Sequence, residues 1–214
     1  LSKKDSKLSF IDHKSTVINK DAIAATWNGT EATVYKSLNA EEKFIGLGEK
    51  VGPLNRRGHA YSNWNTDKFA YDTEQDPLYL STPFFIGING DHFYGIFLDN
   101  THKSTFNFGA STDRFSWFSV EDGEIDYYFI HGNSIADIIK NYTWLTGRIE
   151  LPPKWSLGFQ QCRYSYYPES EVEQIATTFR DKNIPCDVIY LDIHYMEEFK
   201  VFSFDKNRFP NPER

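Results

Sequence analysis

Short runs rich in apolar, aromatic and β-branched residues recur through the first part of the chain, at 33–38, 84–89, 93–99, 115–120 and 124–130. Runs of this length and composition, bounded by turn residues, each predict a short strand. Turn signals such as Asn89-Gly90-Asp91-His92 and Glu121-Asp122-Gly123-Glu124 separate them. Closely spaced strands of this kind predict an antiparallel sandwich. The stretch 46–83 departs from the pattern, crowding Gly, Asn, Arg, Asp and Trp together with little periodicity. A loop of that length inside a compact domain usually has a function.

The period then changes. Ile135, Ile138, Ile139, Tyr142 and Leu145 fall at helical spacing, with Asn133 placed to cap the helix and Gly147 placed to end it. Leu151-Pro152-Pro153-Lys154 breaks the chain, because neither proline donates a hydrogen bond and the residue before a proline is pushed out of the helical region. A domain boundary is expected near residue 150, separating a sandwich domain at 1–150 from a second domain at 151–214. Beyond it, 155–161 reads as a buried strand, 168–183 as a helix with Val172, Ile175, Ala176 and Phe179 on one face, and 186–193 as a second buried strand. Strand, helix, strand with short links predicts a right-handed parallel unit. Such a unit leaves most of its apolar surface uncovered. Either the rest of a barrel is missing or the sandwich covers it, and a stop at Asn211-Pro212-Glu213-Arg214, where a helix could begin, favours the first. The fold class expected is mainly β: an antiparallel β-sandwich followed by the first β-α-β unit of a (β/α)8 barrel.

Composition narrows the function classes. A net charge of −7 without a Lys/Arg cluster argues against nucleic acid, whose binding needs a basic face. No apolar run approaches the roughly 18 residues of a membrane span. Two cysteines and six scattered histidines suggest neither a disulfide framework nor a metal site. In the predicted topology Cys162 ends one parallel strand and Cys186 starts the next, about 17–20 Å apart. A disulfide needs Cα atoms within about 7 Å, so two free thiols are expected. The N-terminus LSKKDSKLSF has no apolar leader core; a processed start would look the same, and the compartment stays open with a cytoplasmic location preferred. Aromatic residues make up 17%, which suits stacking on sugar rings but equally suits a β-rich core.

Ligands of parallel α/β sheets bind beyond the carboxyl ends of the strands. The first strand runs out into Arg163-Tyr164-Ser165-Tyr166-Tyr167 and the second into Asp192-Ile193-His194-Tyr195-Met196-Glu197, which makes both segments candidate pocket walls. Asp192 follows the apolar run Val188-Ile189-Tyr190-Leu191, where a carboxylate is costly unless something pairs with it. A sugar hydroxyl would serve, and so would a structural ion pair with Arg163. His194 reads as a packing residue. The segments Asn55-Arg56-Arg57-Gly58-His59 and Asn63-Trp64-Asn65-Thr66-Asp67 combine planar donors, an indole and a carboxylate, the chemistry of polyol recognition. The same residues could instead satisfy their own loop as turn caps.

Several long motifs carry a resemblance across nearly the whole chain: FIGLGEKVGPLNRRG, YSNWNTD, DPLYLSTPFFIGI, YGIFLDN, LPPKWSLGFQQCRYSYY, DVIYLDIHYMEEFKVFSFD and RFPNP. In this order they resemble glycoside hydrolase family 31, the α-glucosidase and α-xylosidase family. The resemblance implies a galactose mutarotase-like β-sandwich followed by a (β/α)8 barrel. It also implies retaining hydrolysis of terminal α-linked glucose by a nucleophile and an acid/base carried on later barrel strands, so that this chain holds no catalytic residue. Its expected substrate is an oligosaccharide or α-glucoside, with no metal or organic cofactor. By resemblance, Asp192 holds hydroxyls of the non-reducing-end sugar, Tyr164 lines the same subsite, and Asp67, on the 46–83 loop, reaches toward the leaving-group sugar. His194 stands where many relatives have a second aspartate and is expected to support its loop. Alternatives are α-xylosidase or transglucosidase activity, or a carbohydrate-binding module without catalysis. The oligomeric state is not legible.

Overall fold

A computed structural model describes residues 5–213. The chain divides into two compact units, Leu1–Arg148 and Ile149–Arg214. The first contains β1 (Ser9–Ile11), β2 (Val17–Asn28), β3 (Glu31–Ser37), β4 (Lys43–Gly48), β5 (Ala60–Asn63), β6 (Ser81–Asn89), β7 (His92–Leu98), β8 (Ser104–Asn107), β9 (Phe115–Val120), β10 (Tyr127–Gly132) and the helix α1 (Ile135–Thr146). They form a six-stranded sheet in the order β1-β2-β3-β9-β8-β5 and a four-stranded sheet in the order β10-β7-β6-β4. Every pairing in both is antiparallel.

The main core takes Ala32, Val34, Phe106, Phe118 and Val120 from one sheet and Phe44, Phe85, Tyr94, Ile96 and Leu98 from the other. This is a β-sandwich, as the closely spaced strands predict. The four-stranded sheet is covered on both faces. Phe85 points into the sandwich, whereas Phe84 and Ile86 pack with Ile130 and with Ile138 of α1 in a second cluster. That double burial explains why β6 reads as a continuous apolar run. Gly95 on β7 lets α1 close down, since a Cβ there would lie 2.8 Å from the Phe84 ring and 2.9 Å from Ile138.

The strand at 115–120 has the expected bounds, while β3, β6 and β7 begin earlier than expected and β10 begins later. Strands β1, β2, β4, β5 and β8 escaped the sequence pattern. In β2 the register shifts twice, between Asp21 and Ile23 and between Ile23 and Thr26, which destroys a clean period of two. The stretch 46–83 is therefore no single loop: it includes the end of β4, all of β5 and the start of β6. In α1 the cap is Ser134, not Asn133, with Ser134 Oγ accepting from the Asp137 amide at 3.1 Å. Asp137 answers by accepting from the Asn133 amide at 3.2 Å, a reciprocal cap. Gly147, at φ +96°, ends the helix as expected.

The second unit holds β11 (Gln160–Gln161), α2 (Glu169–Asp181) and β12 (Val188–Ile189), with β11 and β12 parallel. The strands expected at 155–161 and 186–193 shrink to these pairs. Residues Lys154–Leu157 form a 3-10 turn after Pro153, and Trp155, Leu157 and Phe159 are more than half exposed. Each strand has only one neighbour among the described residues, so a ladder extends only where both backbones are extended together. Pro168 is the N-cap of α2, ahead of Glu169 and Glu171 in its first turn, with Arg180 in its last. That distribution of charge complements the helix dipole. Val172, Ile175 and Phe179 are half-buried, but Ala176 is exposed. Both cysteines are free, Cys162 exposed and Cys186 buried.

Candidate functional site

In the second unit the register brings two chain segments side by side. Gln161 pairs with Ile189, and each strand then runs three residues further to Tyr164 and Asp192. Both residues thus stand beyond the carboxyl ends of a parallel pair, where α/β sheets hold ligands. Asp192 is half-buried, and its carboxylate makes no hydrogen bond or ion pair among the described residues, with Arg163 or any other group. Its backbone sits at φ +62°, the left-handed region, which costs a non-glycine residue about 1–2 kcal/mol. Strain of that kind at a strand end, with an open carboxylate on it, marks a candidate binding residue.

Tyr164 is 78% exposed and meets the His194 ring edge-on, centroids 5.3 Å apart. His194 does not point into solvent. Its Nδ1 shares a 2.7 Å hydrogen bond with Ser165 Oγ, Tyr167 stacks on it at 5.1 Å, and Phe199 abuts it at 5.6 Å. Arg208 donates to the His194 carbonyl at 2.9 Å and lies 4.9 Å over the Tyr167 ring. His194 is therefore the packing residue that its sequence position suggested, tying together the segments that carry Tyr164 and Asp192.

Asp67 belongs to the first unit, on the segment between β5 and β6, and is exposed. The backbone around it is anchored. The Thr66 amide donates to Leu78 O at 2.8 Å, the Ser81 amide donates to Asn65 Oδ1 at 2.8 Å, and the Tyr79 hydroxyl donates to Lys68 O. Beneath the segment the buried Lys50 ammonium bonds Asp76 at 2.7 Å and Ser62 O at 2.5 Å, and burial lowers its pKa. The turn-cap reading thus holds for Asn55, which accepts from the Arg57 amide at 3.1 Å and also from the Phe44 amide at 3.1 Å, whereas Asn65 ties its segment to β6 and Asp67 caps nothing among the described residues. Asp67 makes no side-chain bond among the described residues. Arg56 and Arg57 donate to backbone carbonyls. Arg56 donates to Val51 O and Pro53 O at 3.0 and 2.8 Å and holds its own loop, whereas Arg57 donates to Asn39 O and Glu42 O at 2.6 and 3.0 Å and ties that loop to the connection between β3 and β4.

A cleft of about 450 Å3 opens in the first unit, lined by Asn63, Trp64 and Ser81 with residues of the segment after β7. Sequence reading marked Asn63 and Trp64 but not Ser81 or Ser104, because single serines in strands carry no periodic signal. No group of three or more His, Cys, Asp or Glu side chains among the described residues is placed to hold a metal ion.

The sandwich and the parallel β-α-β unit each match a profile of one class, the glycoside hydrolases. Residues 1–107 match the profile described as the glycosyl hydrolase 31 N-terminal galactose mutarotase-like domain, and residues 149–214 that of the glycosyl hydrolases family 31 TIM-barrel domain. The chain is 50% identical over 193 residues to "Alpha-glucosidase 2" of Bacillus thermoamyloliquefaciens, covering 90% of this chain and 24% of that protein. It is 31% identical to "Alpha-xylosidase XylQ" of Lactiplantibacillus pentosus, covering 89% of this chain and 25% of that protein. Among solved structures, a family 31 dextranase mutant of Flavobacterium johnsoniae complexed with isomaltotriose superposes with a TM-score of 0.91 at 41% identity, covering 97% of this chain and 25% of that one. This chain belongs to glycosyl hydrolase family 31. It spans about a quarter of the length of the curated relatives it matches, 24% and 25% of the two named.

Proposed function

We propose that this chain supplies part of the sugar-binding wall of a retaining, exo-acting α-glucosidase that removes terminal α-linked glucose from oligosaccharides. The observation that carries the reading is Asp192: a half-buried, unpaired carboxylate in a left-handed conformation, level with Tyr164 beyond the ends of two parallel strands. A carboxylate there accepts hydrogen bonds from sugar hydroxyls, and charge-assisted bonds of this kind are about twice as strong as neutral ones. Tyr164 offers an exposed ring to the same sugar. Asp67, held out by an anchored segment, serves the leaving-group side. In this reading 1–150 is the sandwich domain and 151–214 opens the catalytic barrel.

Retaining hydrolysis needs two carboxyl groups about 5–5.5 Å apart, one attacking the anomeric carbon and one protonating the leaving oxygen. The reading gives neither role to Asp192 or Asp67, and the reaction calls for no cofactor. The 214-residue chain alone is therefore expected to release no chromophore from an α-glucoside. In a longer protein that includes this chain and hydrolyses α-glucosides, Asp192→Asn should lower kcat/KM on the order of 100–1,000-fold, through bonds that strengthen in the transition state. Hydrolysis by the chain alone, or full activity in the Asp192→Asn protein, would overturn the proposal. A second reading, α-xylosidase activity, is favoured by the similarity to the xylosidase of Lactiplantibacillus pentosus. The ratio of kcat/KM on matched glucosides and xylosides decides between them.

A further inference from the structure

The segment that carries Asp67 leaves the sandwich after β5 and returns to it at β6. Residues 67–74 are exposed without a break, Phe69 at 91%, so no core packing holds the tip. Where Asp67 stands is therefore decided at the base of the segment. There Leu78 is buried, the Thr66 amide donates to Leu78 O at 2.8 Å, and the Ser81 amide donates to Asn65 Oδ1 at 2.8 Å. These bonds tie the outgoing limb to the returning one. What aligns the two limbs with the strands beneath them is a buried ion pair.

Lys50 follows β4 by two residues, and its side chain is closed off from solvent. The ammonium donates to Asp76 Oδ1 at 2.7 Å, on the returning limb, and to Ser62 O at 2.5 Å, in β5 where the outgoing limb departs. The second Asp76 oxygen accepts from the Ser62 amide at 2.5 Å. One carboxylate thus meets a charged donor from the end of β4 and a backbone donor from β5. The Lys50 backbone is fixed in turn, its carbonyl accepting from Arg56 at 3.3 Å. A buried ion pair often contributes little net stability, because desolvating both charges offsets their attraction. Its bonds are short and directional, so they suit the alignment of two chain segments better than the general support of a core.

We infer that Lys50 and Asp76 are positioning residues: their ion pair, locked to the Ser62 backbone, sets where the segment presents Asp67 and so governs selection of the sugar on the leaving-group side. The consequence for selection rests on the proposed role of Asp67, whereas the geometry of the pair does not. In a longer protein that includes this chain and hydrolyses α-glucosides, kcat/KM is measured on maltose and isomaltose, whose leaving group is a sugar, and on α-glucosyl fluoride, whose leaving group is one atom. Lys50→Met should lower the ratio of disaccharide to fluoride roughly 10–100-fold, the order that a misplacement of about 1 Å costs. Lys50→Arg, which keeps a charge for Asp76, should restore most of it. Where Lys50→Met does not fold, Asp76→Asn, which keeps one accepting oxygen, takes its place in the comparison. In either variant the Thr66 amide should exchange its hydrogen faster while the amides of β9 keep their protection. A ratio equal to that of the parent, together with a lowered melting temperature, would make the pair a support of the fold alone and overturn the inference. Asp67→Asn separates the two proposals. If it lowers the ratio and Lys50→Met does not, only the positioning role falls; if it leaves the ratio intact, the role of Asp67 falls and takes the positioning role with it.

Discussion

Lys36 lies inside the sandwich at 2% exposure, ion-paired to Asp21 at 2.6 Å and bonded to the Tyr127 hydroxyl at 2.9 Å. Burial pushes its pKa down, and the Asp21 carboxylate pulls it back up. Removing one partner of such a pair leaves the other charge buried and uncompensated. Asp21→Asn should therefore lower the free energy of unfolding by about 3–5 kcal/mol, read from urea denaturation. Glu42 is the opposite case. Burial raises its pKa above the ordinary 4.5, although the Tyr94 hydroxyl donates to it at 2.7 Å. A raised folded pKa means that the native state holds the proton more tightly than the unfolded chain. The stabilisation is complete below the unfolded value and is lost as pH rises through the folded one. Glu42→Gln should abolish that decline, visible as a flatter melting temperature against pH from about 4.5 upward. Neither residue announced itself in the sequence. A lysine at an inward position of β3 reads as an error in the alternation until Asp21 and Tyr127 arrive from other strands.

At the scale of elements, legibility followed periodicity. The strand at 115–120 and the helix α1 carry their periods openly and were readable. Strand β2 was hidden by its two register shifts, and β5 (Ala60–Asn63) and β8 (Ser104–Asn107) by their shortness and polar residues. The second unit failed in the other direction, since apolar runs at 155–161 and 186–193 looked like full strands. An apolar run states that a segment prefers burial, but a ladder needs a partner on hand. The packing of α1 onto the four-stranded sheet depends on Gly95, where no side chain intervenes between Phe84 and Ile138. Gly95→Ala should destabilise the sandwich by about 1–3 kcal/mol through overpacking, measured by thermal or chemical unfolding.

For the whole molecule, the free cysteines test the topology of the second unit. A thiol reagent should label Cys162 in the native protein and reach Cys186 only on unfolding, counted by intact mass. The change of period near 130, the double proline at 152 and 153 and the motif order sufficed to read the fold class and the family from the sequence, because each is local along the chain. That Tyr164 and Asp192 lie just past the two parallel strands was also legible, since the order strand, helix, strand places both by position alone. What only the tertiary structure decided is which polar groups are already satisfied. His194, Arg56 and Arg57 turned out to be engaged with Ser165 or with backbone carbonyls, whereas the Asp192 and Asp67 carboxylates have no partner among the described residues, and the Asn63 carboxamide is buried without one. A hydrogen-bond partner is fixed by proximity in space, between residues that can stand far apart in the chain, and no pattern along the chain records it.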